Sequence, residues 1–299
     1  MTDLTVELAG LTLPSPLITA APYGGRELAT YTDLSLLGAV VTRTVTLDPQ
    51  AGAAPPRIVG TPSGVLSAAG HQNPGLQGFL ATDLPWWAQQ DVRTVVSISA
   101  SSLAEYGELA RRVATAPGVA AVEVHLDVTD AYQTGKVVHV VRRDLPRGVP
   151  VLAKLAAGGD VVALASAAAD NGADAVVVTQ GFPGLVLDPR TLRPALGSGG
   201  GLLSGPAVRA LALRCVWEVR AVLPGLPVVG AGGVSTGFDV LALLAAGATA
   251  VQLGSVLLRD PSAATRIRLE LLDELDRRDL DSVAAAAGLA HHQPEGSSR

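Results

Sequence analysis

Short β-branched apolar runs recur eight times along this chain, each followed by a stretch with helical spacing. They are SPLITA (15–20), GAVVTRTVT (38–46), TVVSIS (94–99), VAAVEVHL (119–126), VPVLAKLA (149–156), ADAVVVT (173–179), LPVVGAG (226–232) and TAVQLG (249–254). Most are continuously apolar, the pattern of parallel strands covered on both faces. Between them lie LAEYGELARRVATA, VVALASAAADNGA, AVRALALRCVWEVRAVL and GFDVLALLAAGA, apolar at helical intervals. Several helices end in glycine, as in NGAD (171–174) and AGAT (246–249), which suits a cap before the next strand. Eight strand–helix units in about 250 residues is the arithmetic of a (β/α)8 TIM barrel. An open doubly wound sheet satisfies the same local pattern, but eight regular units without a domain-sized break favour closure. The expected fold is therefore α/β, one barrel domain over 1–299.

Two stretches depart from the period. Residues 4–14 (LTVELAGLTLP) read as a small β-hairpin ahead of the first barrel strand, a plug for the barrel's bottom. Residues 47–93, after the second strand, are too long for a simple connection and read as an ordered active-site loop carrying His71, Gln72 and Asn73. The tail HHQPEGSSR is expected to fray together with the residues from 289 on, and its two histidines are a weak metal signal.

Composition narrows the function classes. With 48% hydrophobic and 16% charged residues, the chain has the make-up of a buried sheet, not of a disordered segment. A net charge of −5 argues against a nucleic-acid partner. No apolar run reaches spanning length, and MTDLTVELAG lacks a basic and an apolar leader region. No membrane contact is expected, and the expected location is the cytoplasm. The single cysteine, Cys215, excludes an internal disulfide or a multi-thiolate cluster and sits on an apolar helix stripe as an inert thiol. No metal-ligating set is read from the sequence.

The chemistry of such barrels sits at the C-terminal ends of the strands, with a phosphate site after strands seven and eight. Those positions read AGGVSTGFD (231–239) and LGSVLL (253–258). Gly232 and Gly233 allow backbone N–H groups to approach an anion, the helix starting near Thr236 would aim its positive end at it, and Gly254 and Ser255 face it from the other side. The cluster GSGGGLLSGP (197–206) adds Gly205. Together they point to a phosphorylated ligand. Lys154 stands in an apolar run at the tip of strand five and is read as ligand-facing, the alternative being a salt-bridged core lysine. Arg43, at the tip of strand two, is read as an anion clamp, the alternative being a pair with Glu123 or Asp127.

The stretch VVTRTVTLDPQAGAAPPRIVGTPSGVLSAAGHQNPG, with SASSLAEYGELARR, LSGPAVRALALR and GAGGVSTGFDVLALLAAGATAVQLGS, closely resembles the dihydroorotate dehydrogenase family over nearly the whole chain. The likeness is nearest to the cytosolic branch that works with a separate electron-transfer subunit. It implies an FMN-binding barrel that removes a hydride from a dihydropyrimidine. By that resemblance Ala20, Ala21 and Gly24 border the flavin, Lys154 contacts its pyrimidine edge, and Gly232, Gly233, Gly254 and Ser255 hold its phosphate. The substrate half departs from the pattern. Where the family's fourth strand ends in Asn, Ser and a Cys–Pro–Asn run (or a Ser base in place of Cys), this chain has HLDVTD, so Val128 takes the place of the base, and His125 and Asp130 those of the flanking asparagines. Arg43 replaces a lysine, Ser67 an asparagine, His71 a leucine, and Gln180–Gly181 an Asn–Thr or Asn–Ser pair.

Valine cannot accept a proton. The titratable groups placed where the family has amides and a thiol are His125, Asp127 and His71, and these form the expected catalytic set. Alternatively, Asp127 and Asp130 cap the next helix or pair with Arg43. Residues 123, 125 and 127 share one strand face, so Glu123, His125 and Asp127 are expected to point inward with Arg43 and Lys154 as charge partners. Arg43, Ser67, Asn73, Asp130 and Gln180 form the expected substrate set. The expected function is an FMN oxidoreductase taking hydride from a small cyclic amide or carboxylate, with dihydroorotate a poor substrate. The alternatives are a genuine dihydroorotate dehydrogenase with a relocated base, a silent flavin-binding protein and, more remotely, a flavin-free phosphate-binding barrel. A homodimer and an electron-transfer partner subunit are the expected assemblies.

Overall fold

In the computed structural model, which describes residues 2–292, the eight apolar runs close into one parallel barrel. Its strands in chain order are Leu17–Thr19, Ala39–Val41, Arg93–Ile98, Val119–His125, Val151–Lys154, Ala175–Val178, Val228–Ala231 and Ala250–Leu253. The eighth pairs with the first, Gln252 beside Ile18, which leaves no free edge. Each strand falls within its run read from sequence or within a residue of it, and most are shorter, the second stopping at Val41 where the run continues to 46. The tips of those runs belong to loops.

The helices start where the chain offers a side-chain acceptor. Ser102 caps Leu103–Ala114 from Glu105 N (3.3 Å), Asp130 caps Ala131–Asp144 from Gln133 N (2.8 Å), and Asp160 caps Val161–Asp170. Thr236 and Asp239 form a reciprocal capping box at Gly237–Ala245. The first unit is irregular: strand one is followed by two short 3-10 turns, Arg26–Thr30 and Leu34–Leu36, in place of an α-helix. Gly24 lies in that connection, and a Cβ there would overlap the carbonyl oxygen of Val41 in the neighbouring strand. Its role is close packing.

The expected hairpin forms, Val6–Leu8 against Leu11–Leu13, and buries Val6, Leu8 and Leu13. The segment 47–93 is not a loop. It contains the hairpin Ile58–Thr61/Gly64–Ser67 and a helical stretch from 75 to 87 that includes a π-type turn at Phe79–Asp83. The hairpin joins Phe182–Gly184 and Gly201–Ser204, from the connection after strand six, in a second, antiparallel sheet of four strands. The glycine cluster 197–206 thus supplies a strand as well as a turn.

The chain end is ordered as far as it is described. Leu289–His291 is a 3-10 turn, and His291 stacks on Trp217 (ring centroids 5.3 Å apart) and donates to Ala246 O at 2.9 Å. Fraying from 289 is therefore corrected for 289–292, and the remainder of the tail lies outside the described residues. Among the described residues no helix is long and apolar enough to cross a membrane.

Candidate active site

A cavity of about 830 Å3 opens at the C-terminal ends of the barrel strands, with the second sheet as one wall. Its size is that of a small-molecule site. Ala20 and Ala21 line it from strand one, Lys154 from strand five, Gly232 and Gly233 from strand seven, Gly254 and Ser255 from strand eight, and Gly205 from the turn behind the second sheet. Gly24 is absent from this lining, consistent with its packing against Val41.

The residues after strands seven and eight fit a phosphate. Gly232 and Gly233 have φ of +127° and +77°, and a Cβ on Gly233 would lie 2.6 Å from Arg209 N, so only glycine turns the chain here. Among the described residues the N–H groups of Gly232, Gly233 and Ser255 have no hydrogen-bond acceptor. Unpaired N–H groups in such a turn suit an anion. The helix beginning at Gly237 does not contribute as expected. Ser235 N and Thr236 N donate to Asp239 Oδ2 (2.9 and 3.0 Å) and Gly237 N to Glu270 Oε2 (2.8 Å), so its first donors are already used.

Strand alternation carries Glu123, His125 and Lys154 inward. Glu123 is fully buried and reaches across the barrel: Gln252 Nε2 of strand eight donates to its Oε2 at 2.6 Å. Gln252 Oε1 in turn accepts from Lys154 Nζ at 2.7 Å, and Nζ lies 3.9 Å from Glu123 Oε1. Burial pushes the Lys154 pKa below the ordinary value and the Glu123 carboxylate opposes that shift. Lys154 is thus both cavity-facing and ion-paired, the two readings the sequence had set against each other. Gln252 escaped the sequence reading, although an amide inside TAVQLG is the same signal as the lysine in VPVLAKLA.

Above this layer stands the histidine pair. His125 Nε2 lies 3.1 Å from Asp127 Oδ1, and His71 Nε2, from the segment before the helical stretch, lies 3.3 Å from Asp127 Oδ2. The rings meet edge to face, centroids 4.7 Å apart. Burial disfavours the Asp127 carboxylate, yet hydrogen bonds from both imidazoles hold it well below the usual carboxylate range. The carboxylate therefore accepts Nε2–H from each ring, which leaves the lone pairs on Nδ1. His125 Nδ1 is buried and has no hydrogen-bond partner. Burial lowers the His125 pKa, against the pull of Asp127, so the ring is neutral at neutral pH.

The structure brings together only part of the expected substrate set. Arg43, Ser67 and Gln180 line the cavity. Arg43 pairs with Glu27, not with Glu123 or Asp127, and more than half of its side chain is exposed. Gln180 spends its amide on backbone, donating to Leu126 O at 2.8 Å. Asn73 and Asp130 do not line the cavity. Asn73 is buried in its own segment, donating to Thr46 Oγ1 (2.8 Å) and His71 O (2.6 Å) and accepting from Gly75 N (2.8 Å). Asp130 is the helix cap already described, so the capping alternative holds for it and fails for Asp127. Sequence reasoning also missed Glu27 and Tyr23, which line the cavity from the irregular first connection.

Comparison with known proteins agrees with this architecture. The family described as "Dihydroorotate dehydrogenase" matches residues 3–275. A protein named dihydroorotate dehydrogenase B (NAD(+)), catalytic subunit, from Desulforudis audaxviator (strain MP104C) is 40% identical over 300 residues, covering 96% of this chain and 97% of its own. The protein of the same name from Geobacter sp. (strain M21) is 38% identical with the same coverage. That from Geobacter sulfurreducens is 40% identical over 283 residues, covering 90% and 92%. Among solved structures, the DHODH of Eimeria tenella in complex with ferulenol superposes with a TM-score of 0.80 at 21% identity, covering 97% of this chain and 89% of that one, which speaks for the fold. The chain belongs to the dihydroorotate dehydrogenase family.

Proposed function

We propose that this chain is an FMN-dependent oxidoreductase of the dihydroorotate dehydrogenase type, in which the His125–Asp127–His71 set takes the proton. The observation that carries the reading is the carboxylate between two imidazoles at the mouth of a cavity lined by a phosphate cradle and a buried lysine. Bound FMN would supply the hydride acceptor. Gly232, Gly233 and Ser255 would hold its phosphate, and Lys154 would meet its ring. Oxidation of a ring C–C bond removes hydride from one carbon and a proton from its neighbour. The proton goes to the Nδ1 lone pair of an imidazole that Asp127 orients through Nε2–H. The name carried by the relatives supports dihydroorotate as substrate and a separate subunit that passes electrons to NAD(+).

One observation favours a second reading with a different small cyclic amide or carboxylate. Asn73 and Gln180 spend their amides on backbone and loop contacts, so the cavity offers few amide groups to read a pyrimidine ring. Stopped-flow reduction of the FMN-loaded protein separates the readings. The expected result is rapid reduction by dihydroorotate, slowed roughly 10²- to 10⁴-fold in His125→Ala with FMN content unchanged. Reduction by another cyclic amide but not by dihydroorotate selects the second reading. Equal rates in wild type and His125→Ala refute the base assignment.

A further inference from the structure

We propose that His71, His125 and Asp127 form a binding site for one divalent first-row transition ion of the Zn2+ or Co2+ kind. The site shares its side chains with the base assignment but does not depend on it.

The donor set is two imidazoles and one carboxylate, nitrogen and oxygen ligands suited to these ions. Among the described residues it is the one group of three histidine, cysteine or acidic side chains whose donor atoms lie within 4.8 Å of one another. Bonds of about 2.0–2.2 Å at tetrahedral angles separate neighbouring donors by roughly 3.4 Å. Asp127 Oδ1 stands 3.1 Å from His125 Nε2 and Oδ2 3.3 Å from His71 Nε2, so each imidazole already has one carboxylate oxygen at about that spacing. The remaining coordination positions would face the cavity.

The three side chains are held for this arrangement from unrelated parts of the chain. His125 and Asp127 sit at the tip of barrel strand four. His71 is brought over them with a left-handed backbone, φ +51°, a conformation that a non-glycine residue rarely adopts. The side chain of Asn73 pins it by donating to His71 O at 2.6 Å. The Lys154 ammonium on the adjacent strand is offset by Glu123 at 3.9 Å, so it does not leave the site with excess positive charge. Of the remaining histidines, His291 is occupied with Trp217 and Ala246 O.

An ion here would take up imidazole nitrogens needed to accept a proton or to hold Asp127, so ion binding and proton abstraction compete. The test uses the FMN-loaded full chain, stripped of metal with a chelator and titrated with Co2+ while absorbance is followed above the flavin bands, with Zn2+ calorimetry in parallel. One equivalent is expected to bind to wild type. His71→Ala and Asp127→Asn should each weaken binding by more than about 100-fold, beyond the range for an outer-shell residue, while FMN content stays constant, and His291→Ala should leave binding unchanged. No stoichiometric binding, or binding indifferent to His71→Ala, overturns the proposal. The outcome is independent of turnover: Co2+ binding with a flavin reduction rate indifferent to His125 would sink the base assignment and leave the ion site standing, and the reverse result would do the opposite.

Discussion

The carboxylate of Glu123 is buried inside the barrel with Lys154 Nζ 3.9 Å from its Oε1, and Glu123→Gln removes the charge while keeping the volume. At that separation and an effective dielectric of about 20, the lost attraction is about 4 kcal/mol. The amide oxygen introduced by the substitution could still accept from Gln252 Nε2, so the hydrogen bond now 2.6 Å long can survive. What does not survive is compensation for the ammonium, which is 4% exposed. Removing one partner of a buried pair typically costs about 3–5 kcal/mol. Lys154 can limit that cost by giving up its proton, since burial already favours its neutral form. The expected loss is therefore roughly 2–4 kcal/mol, a large share of the stability of an ordinary domain. Urea unfolding of Glu123→Gln, Lys154→Met and the double variant, each with and without FMN, measures it. The double variant should be more stable than the sum of the two single losses predicts, by about 2 kcal/mol. A single-variant loss below about 0.5 kcal/mol, or strict additivity, would show that the two charges do not sense each other.

Ser255 opens the helix Ser255–Arg259 and is half-buried in the cavity wall, so Ser255→Glu should fold and place a carboxylate at the phosphate cradle; FMN affinity is expected to fall roughly 10- to 100-fold, and an unchanged affinity would move the phosphate elsewhere. Gly233 is unsuited to this test because any side chain there collides with Arg209. Burial raises the Cys215 thiol above its ordinary value of 9.0, so iodoacetamide should label the native protein slowly at pH 7.5 and faster as pH climbs past about 9. Rapid labelling at about pH 7.5 would refute an inert thiol.

The barrel was legible because each strand carries its own signal. AVVV, VVGA and AVQL are buried on both faces, so apolar runs mark them without reference to any partner. The inward polar layer was legible for the same reason, since Glu123, His125 and Lys154 interrupt such runs and alternation assigns them a face. The second sheet had no comparable signal. Ile58–Thr61 and Gly201–Ser204 are half-exposed and glycine-containing, and the pairing of Ser67 with Leu202 joins segments far apart in the chain. Local pattern cannot announce a strand whose stability comes from a remote neighbour. The partner of Arg43 was missed for a related reason. The arginine's charge was visible, but its partner Glu27 lies in an irregular connection that no periodicity marks.

That contrast explains why the two halves of the site read so differently. The proposed phosphate cradle is local: Gly232 and Gly233 belong to one turn, Gly254 and Ser255 to another, and each turn follows directly from a barrel strand. The half proposed to take the proton depends on His71, whose position is fixed by three remote facts together. Gly64–Ser67 is clamped in the second sheet by Gly201–Ser204, Asn73 ties the segment to Thr46 and His71 O, and Asp127 captures the ring. If any one of these gives way, His71 loses its partner while the barrel and the cradle persist. A change of substrate within this fold can therefore come from the segment that carries His71, because it supplies the one proposed catalytic side chain that the barrel strands do not.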